Sequence, residues 1–160
     1  MTLTAPDAPA LSPDDPLIGA LLRAPAQAIH RRVIRELNAA GFDELRLPHI
    51  PVLQYPGPDG VRPAALAERV GMSKQAINQL LRSLEGFGYL VRSNVEGDGS
   101  ARVIRFTERG HAAFRKIVEI QHAVERDWRD ELGEADFATL KRLLMRAWGH
   151  ATARRRVPGP

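Results

Sequence analysis

Cysteine is absent from the 160 residues. Its absence excludes a disulfide framework, a thiolate metal site and a cysteine redox switch. No apolar run approaches the ~18 residues of a membrane span. The opening MTLTAPDAPALSPDD has neither the basic start nor the apolar core of a secretory leader. A cytoplasmic protein with no membrane partner is therefore expected. Aromatic residues make up only 6% of the chain, and Tyr55, Tyr89, Trp128 and Trp148 read as packing residues rather than stacking platforms for single strands. A Gly-rich phosphate loop, a nucleophile elbow and a Ser/His/Asp arrangement are all missing, so no catalytic residue is expected. The five histidines are His30, His49, His111, His122 and His150. Glu119 and His122 lie one helical turn apart, and Glu125 continues that row, a spacing a metal would accept. Without Cys and without a denser cluster, no metal and no cofactor is expected.

Lysine is scarce: of 23 basic residues, twenty are Arg and three are Lys. Arginine suits bidentate contact with phosphates and bases, although a genome rich in G and C would favour Arg codons everywhere. Subtracting 19 acidic residues leaves a net charge of +4. Over residues 60 to 110 there are eight basic and five acidic side chains, an excess of three. So modest a balance means that an argument for nucleic acid rests on placement rather than on total charge.

Placement is informative between Gly71 and Arg92, GMSKQAINQLLRSLEGFGYLVR. Ser73 is a helix cap, and Ala76, Ile77, Leu80, Leu81 and Leu84 then recur at the spacing of one helical face. The opposite face carries Gln75, Asn78, Gln79 and Arg82, with Lys74 at its edge and no acid before Glu85. An ordinary solvated face is mostly Glu and Lys, whereas amides suit the edge of adenine and Arg that of guanine. Gly86 is the expected breaker. Upstream, PAALAERV from Pro63 to Val70 reads as a short helix with Pro in its first turn and Leu66 and Val70 on its buried side. The two helices form a helix-turn-helix. Tyr89 to Val95 and Arg102 to Phe106 are β-prone runs separated by EGDGSA, a hairpin tip. The order helix, turn, helix, hairpin defines a winged helix-turn-helix.

RPAALAERVGMSKQAINQLLRSLEGFGYLVR, followed by a wing ending in FTERG, resembles the MarR family of bacterial transcription regulators over roughly residues 15 to 148. The resemblance implies a mainly α fold with a small β-hairpin wing, flanked by N- and C-terminal dimerisation helices. It implies a homodimer on a pseudo-palindromic double-stranded DNA site, with repression as the default. Modulation by a small aromatic or amphipathic ligand is also implied; sensing of peroxides through Cys, found in part of the family, is excluded here. Family wings typically read Asp, any residue, Arg; here Asp98 is present, but Ser100 stands where the Arg is expected. Arg102, two residues on, is the alternative wing contact, since residues two apart share a strand face.

On this reading Gln75, Asn78, Gln79 and Arg82 read base edges, with Ser73 and Lys74 nearer phosphate. Arg62, Arg92 and Arg105 hold register on the DNA backbone, and the wing contributes through Asp98, Ser100 and Arg102. His30 and His49 are candidates for lining a ligand cleft beneath the dimer helices. The expected organisation is a disordered arm over 1–11, and a first dimerisation helix over 12–41, started by Ser12 and Pro13 and kinked or split near Pro25. Residues 42–110 form the DNA-binding lobe, including a short helix from Phe42 to Val52 broken by Pro48 and Pro51, then a loop, QYPGPDG. C-terminal dimerisation helices occupy 111–150, one capped by Thr107 and ended by Gly133, the other from Glu134 to Trp148. Residues 151–160 are a basic flexible tail. A winged-helix module for architecture or protein assembly, without a ligand, is the alternative. An enzyme is not expected, because 160 residues leave no room for a catalytic domain beside this lobe.

Overall fold

The structure, a computed structural model, describes residues 15–54, 60–95 and 98–153, apart from the side chains of 95, 98–101 and 150–153. Its elements are α1 (Ile18–Ala39), α2 (His49–Leu53), α3 (Pro63–Val70), α4 (Lys74–Gly86), β1 (Leu90–Val95), β2 (Asp98–Phe106), α5 (Glu108–Leu132) and α6 (Glu134–Ala153). Two compact units divide the chain, Met1–Phe114 and Arg115–Pro160, so the boundary falls within α5.

In the first unit, α3 and α4 form where their sequences place them. Pro63 stands in the first turn of α3, where its missing N–H costs nothing. Leu66 and Ala67 are buried, while Val70, expected in the core, is only half-buried. Gly71 takes φ 75°, the left-handed conformation that turns the chain between the helices. Ser73 caps α4: its Oγ accepts from the Ala76 N–H at 3.1 Å. Ile77, Leu81 and Leu84 are buried on one face of α4. The helix stops at Gly86, its last residue, as expected, although Gly86 itself is not left-handed. The left-handed residue is Gly88, at φ 77°, and the Tyr89 N–H donates to the Leu84 carbonyl at 2.9 Å, so the carbonyls of the last turn are satisfied from beyond it.

β1 and β2 pair antiparallel with Leu90 opposite Phe106, Arg92 opposite Ile104 and Asn94 opposite Arg102. The register shifts between Asn94 and Val95, which pairs with Asp98. β2 therefore begins within the stretch expected to be a turn; Glu96 and Gly97 lie outside the described residues. Val61 adds a one-residue bridge to Ile104, exchanging hydrogen bonds of 3.0 and 2.8 Å, and so ties the start of α3 to the wing.

The proline-based expectations are revised. α1 runs unbroken through Pro25. Proline removes one rung and crowds the carbonyl four residues back, but the rungs before and after it keep the helix continuous. Ser12 and Pro13 lie outside the described residues, as do the arm over 1–11, most of the QYPGPDG loop and the tail. α2 is shorter than expected and contains Pro51 rather than breaking at it. Pro51 is the third residue of that helix, where an N–H would lack an intrahelical partner anyway.

α5 begins and ends as expected. The Thr107 Oγ1 accepts from the Gly110 N–H at 3.1 Å, and Gly133 follows at φ 80°. Its buried stripe is Ala113, Ile117, Ile120 and Val124, with Phe114, Val118, Gln121 and Trp128 half-buried beside it. α6 continues five residues beyond Trp148, to Ala153.

Candidate nucleic-acid interface

Burial of Ile77, Leu81 and Leu84 fixes the orientation of α4, because residues on the opposite side of a helix cannot be buried by the same neighbours. Gln75, Gln79 and Arg82 are exposed in consequence, as are Ser73 and Lys74 at the helix start. Asn78 differs from its expected partners. It is half-buried, and its Nδ2 donates to the Lys74 carbonyl at 2.8 Å.

The structure brings four of the expected site residues to one place. Arg62, the residue before α3, Lys74 and Asn78 from the first turns of α4, and Arg102 from β2 line a cleft of about 330 Å³ with Pro63, Ala64 and Ile77. Arg62, Lys74 and Arg102 are exposed and make no ion pair among the described residues. Arg105 is exposed on β2, opposite Val91. Arg92 is not available in the same way: it is half-buried and its Nε lies 2.7 Å from Glu85 Oε1. Asp98 and Ser100 lie on the β2 backbone, with side chains outside the described residues. The register shift lies between the Asn94–Arg102 and Val95–Asp98 pairs, so Ser100 falls within it while Arg102 is regularly paired.

Sequence reading missed a polar buckle beneath this surface. The Tyr89 hydroxyl donates to Glu44 Oε2 at 2.9 Å, and Arg109 Nη2 reaches both Glu44 oxygens at 2.8 and 2.9 Å. Arg109 Nη1 donates to the Phe87 carbonyl at 2.9 Å, and its guanidinium lies 4.6 Å from the centre of the Tyr89 ring. Burial, then the bond to Glu44, pushes the Tyr89 phenol up to about 12. Glu44 is held below the usual carboxylate range by a bond from its own backbone, with help from Tyr89 and Arg109. Thr107 Oγ1 adds a 2.6 Å bond to the Gly88 carbonyl. Gly110 completes the corner, since a Cβ there would stand 2.0 Å from the Tyr89 carbonyl oxygen. The buckle therefore fixes the end of α4 against the start of α5. Its sequence signal was the FTERG run itself, legible as a motif but not as contacts, because Glu44 is 65 residues from Arg109.

The two histidines expected at a ligand cleft are not brought together. His30 is exposed on α1. His49 is 6% exposed, and its Nδ1 accepts from the Arg46 N–H at 3.1 Å, which leaves the proton of the neutral ring on Nε2. Burial, and then the charge of Arg46, lowers the His49 pKa. His49 lines a separate cleft of about 500 Å³ with Asp43, Glu44, Arg46, Ser83 and Phe87. In the second unit, Glu119 pairs with Lys116 and Glu125 with Lys141. Among the described residues, no group of three metal-ligating side chains occurs.

No sequence-family profile and no curated protein sequence matches the chain. Solved structures do. A MarR family protein of Mycobacterium tuberculosis, Rv2887, in complex with salicylic acid, is 27% identical; the match covers 84% of this chain and 98% of that one, with a TM-score of 0.61. The fold is that of the MarR family. FabT of Streptococcus pneumoniae, in complex with DNA, shares the fold at 20% identity and a TM-score of 0.71, over 84% of this chain and 94% of that one. CouR of Rhodococcus jostii RHA1, bound to p-coumaroyl-CoA, does so at 24% identity and 0.66, over 86% and 93%. These MarR-type matches extend well beyond the winged helix. Among the described residues, no helix is long and apolar enough to cross a membrane.

Proposed function

We propose that this chain is a MarR-type transcriptional regulator that binds a pseudo-palindromic double-stranded DNA site as a homodimer. It acts in the cytoplasm, as a repressor, and a small aromatic ligand modulates its hold on DNA. The observation that carries the reading is the exposed face of α4. Gln75, Gln79 and Arg82 project from a helix whose opposite face is buried, and Arg62, Lys74 and Arg102 flank it with no ion pair among the described residues. Amides and guanidinium are the groups that recognise base edges in the major groove. The cations beside them fit phosphates, which position a protein on the duplex.

Self-association draws support from apolar side chains that each unit leaves uncovered. In the first unit, Leu17, Ile18, Leu21 and Leu22 of α1 and its cap are 48–70% exposed. In the second, Leu143, Leu144 and Met145 of α6 are 38–68% exposed. A second copy related by two-fold symmetry is the economical cover for both. DNA in the FabT structure, and salicylic acid and p-coumaroyl-CoA in the Rv2887 and CouR structures, support the partner classes.

The test is selection of bound duplexes from a random pool, repeated with a library of aromatic acids. The reading expects one enriched duplex, protected at two half-sites about one helical turn apart, and at least one acid that releases it. Replacing Gln75, Gln79 and Arg82 together by Ala should abolish the enrichment in a folded dimer. Retained enrichment in that variant would overturn the assignment of α4.

A further inference from the structure

We infer that the cleft between the starts of α3 and α4 and the base of the wing seats one DNA backbone phosphate per protomer. In this seat Arg102 supplies the cation that the wing lacks at Ser100. The inference rests on the DNA-binding reading above and assigns this part of its surface.

Three elements deliver one positive group each to the same 330 Å³ cleft: Arg62 before α3, Lys74 at the first position of α4, and Arg102 on β2. Among the described residues, no acidic side chain lines it. Elsewhere in this unit, basic groups that converge on the fold carry acids with them: Arg92 has Glu85 and Arg109 has Glu44. Three cations brought together without an acid repel one another, and an anion between them relieves that repulsion. The cleft also has a low-dielectric wall of Pro63, Ala64 and Ile77, which strengthens the field inside it. α3 has no side-chain cap, so among the described residues the N–H of Ala64 in its first turn has no partner, and Ala64 stands at the cleft.

Asn78 belongs to this seat rather than to the base-reading row. Its amide is turned back onto the Lys74 carbonyl, and it lines the cleft beside Lys74. Gln75, Gln79 and Arg82 remain as the readers. Arg102 is opposite Asn94, on the near side of the register shift, where the hairpin is regularly paired. A side chain so placed meets the backbone beside the recognition helix and has no role in reading the minor groove.

The experiment uses the full-length protein and a duplex selected from the random pool. The salt dependence of binding is measured for the wild type, Arg102→Ala and Arg102→Lys, together with phosphate-ethylation interference. Losing one phosphate contact lowers the slope of log Kd against log salt by about one per half-site. Arg102→Ala should show that decrease, weaken all sequences alike, and abolish interference at one phosphate in each half-site. Arg102→Lys should restore both slope and interference, because a phosphate accepts a point charge. Unchanged slope and interference in Arg102→Ala, with wild-type selectivity intact, would overturn the seat and leave the DNA-binding reading standing. A changed preference between A·T and G·C at one position, not rescued by Lys, would overturn it in favour of minor-groove reading. A wild type that binds no duplex in a salt-dependent way overturns both.

Discussion

Helices α4 and α6 carry apolar residues at similar spacings, yet the chain treats them differently. On α4, Ile77, Leu81 and Leu84 are 0–1% exposed. On α6, Phe137 is buried while Leu143, Leu144 and Met145 stay 38–68% exposed. Periodicity announces that a face is to be covered; it does not say by what. The face of α4 is covered by its own chain, so its polar side is forced outward, where the proposed DNA contact needs it. The further face of α6 stays exposed, and its proposed cover is a second copy.

The sharpest way to break this contrast is in the buried face. Leu81→Ala should cost ~2–5 kcal/mol of stability through lost transfer energy and a cavity, read as a fall in the urea or thermal midpoint. Next is the corner that holds α4 against α5. Gly110→Ala places a Cβ where the Tyr89 carbonyl oxygen stands. Its cost should reach at least the ~3 kcal/mol top of the usual overpacking range, with the same readout. A change in α6 should behave in the opposite manner. Leu144→Glu should leave the monomer's secondary structure intact by circular dichroism but raise the dimer dissociation constant about a hundredfold in sedimentation. That figure sums, over the two copies, about 1–1.5 kcal/mol each for the 38% of Leu144 that the monomer leaves exposed and for the charge put in its place, at ~1.4 kcal/mol per tenfold. A Leu144→Glu variant that unfolds instead would show that α6 is covered by its own chain, and the contrast would collapse.

The smallest effect is a pH dependence. His49 is buried neutral, so its folded pKa lies below the ~6.5 of an unfolded histidine. Below that value the unfolded chain binds the proton more readily, so stability rises with pH there. His49 therefore stabilises fully above about pH 6.5, and its contribution falls as the pH drops toward the lowered folded value. In His49→Asn, whose side-chain oxygen can accept from the Arg46 N–H, the melting temperature should depend less steeply on pH over that acidic interval.

How much was legible in advance depended on how local the cause was. The Ser73 cap, the Pro63 start, the row of α4 and the hairpin are each decided by residues within one or two turns of one another; the cap and the start match expectation, while Ala76 and Leu80 of the row are only half-buried and β2 starts early, within the expected turn. Pro25 does not split α1 and Pro51 sits inside α2, because a proline's cost depends on which rungs it removes and on what holds the rest. Asn78 is expected at a base edge and Arg92 on the DNA backbone because both are polar and stand in or beside the motif. Neither the Glu85 carboxylate beside Arg92 nor the turn of Asn78 onto Lys74 is visible in spacing.

The amino-acid order alone determined that a capped amphipathic helix with an amide-and-arginine face follows a short helix and precedes a hairpin, because capping, periodicity and turn chemistry act over a few residues. Tertiary structure decided which cations are free and where they meet. It set Arg62, Lys74 and Arg102 around one cleft, and drew Glu44, Tyr89 and Arg109 into one buckle. The reason is physical: a charge is spent or left available according to what packing places within a few ångströms of it, and those neighbours come from distant parts of the chain.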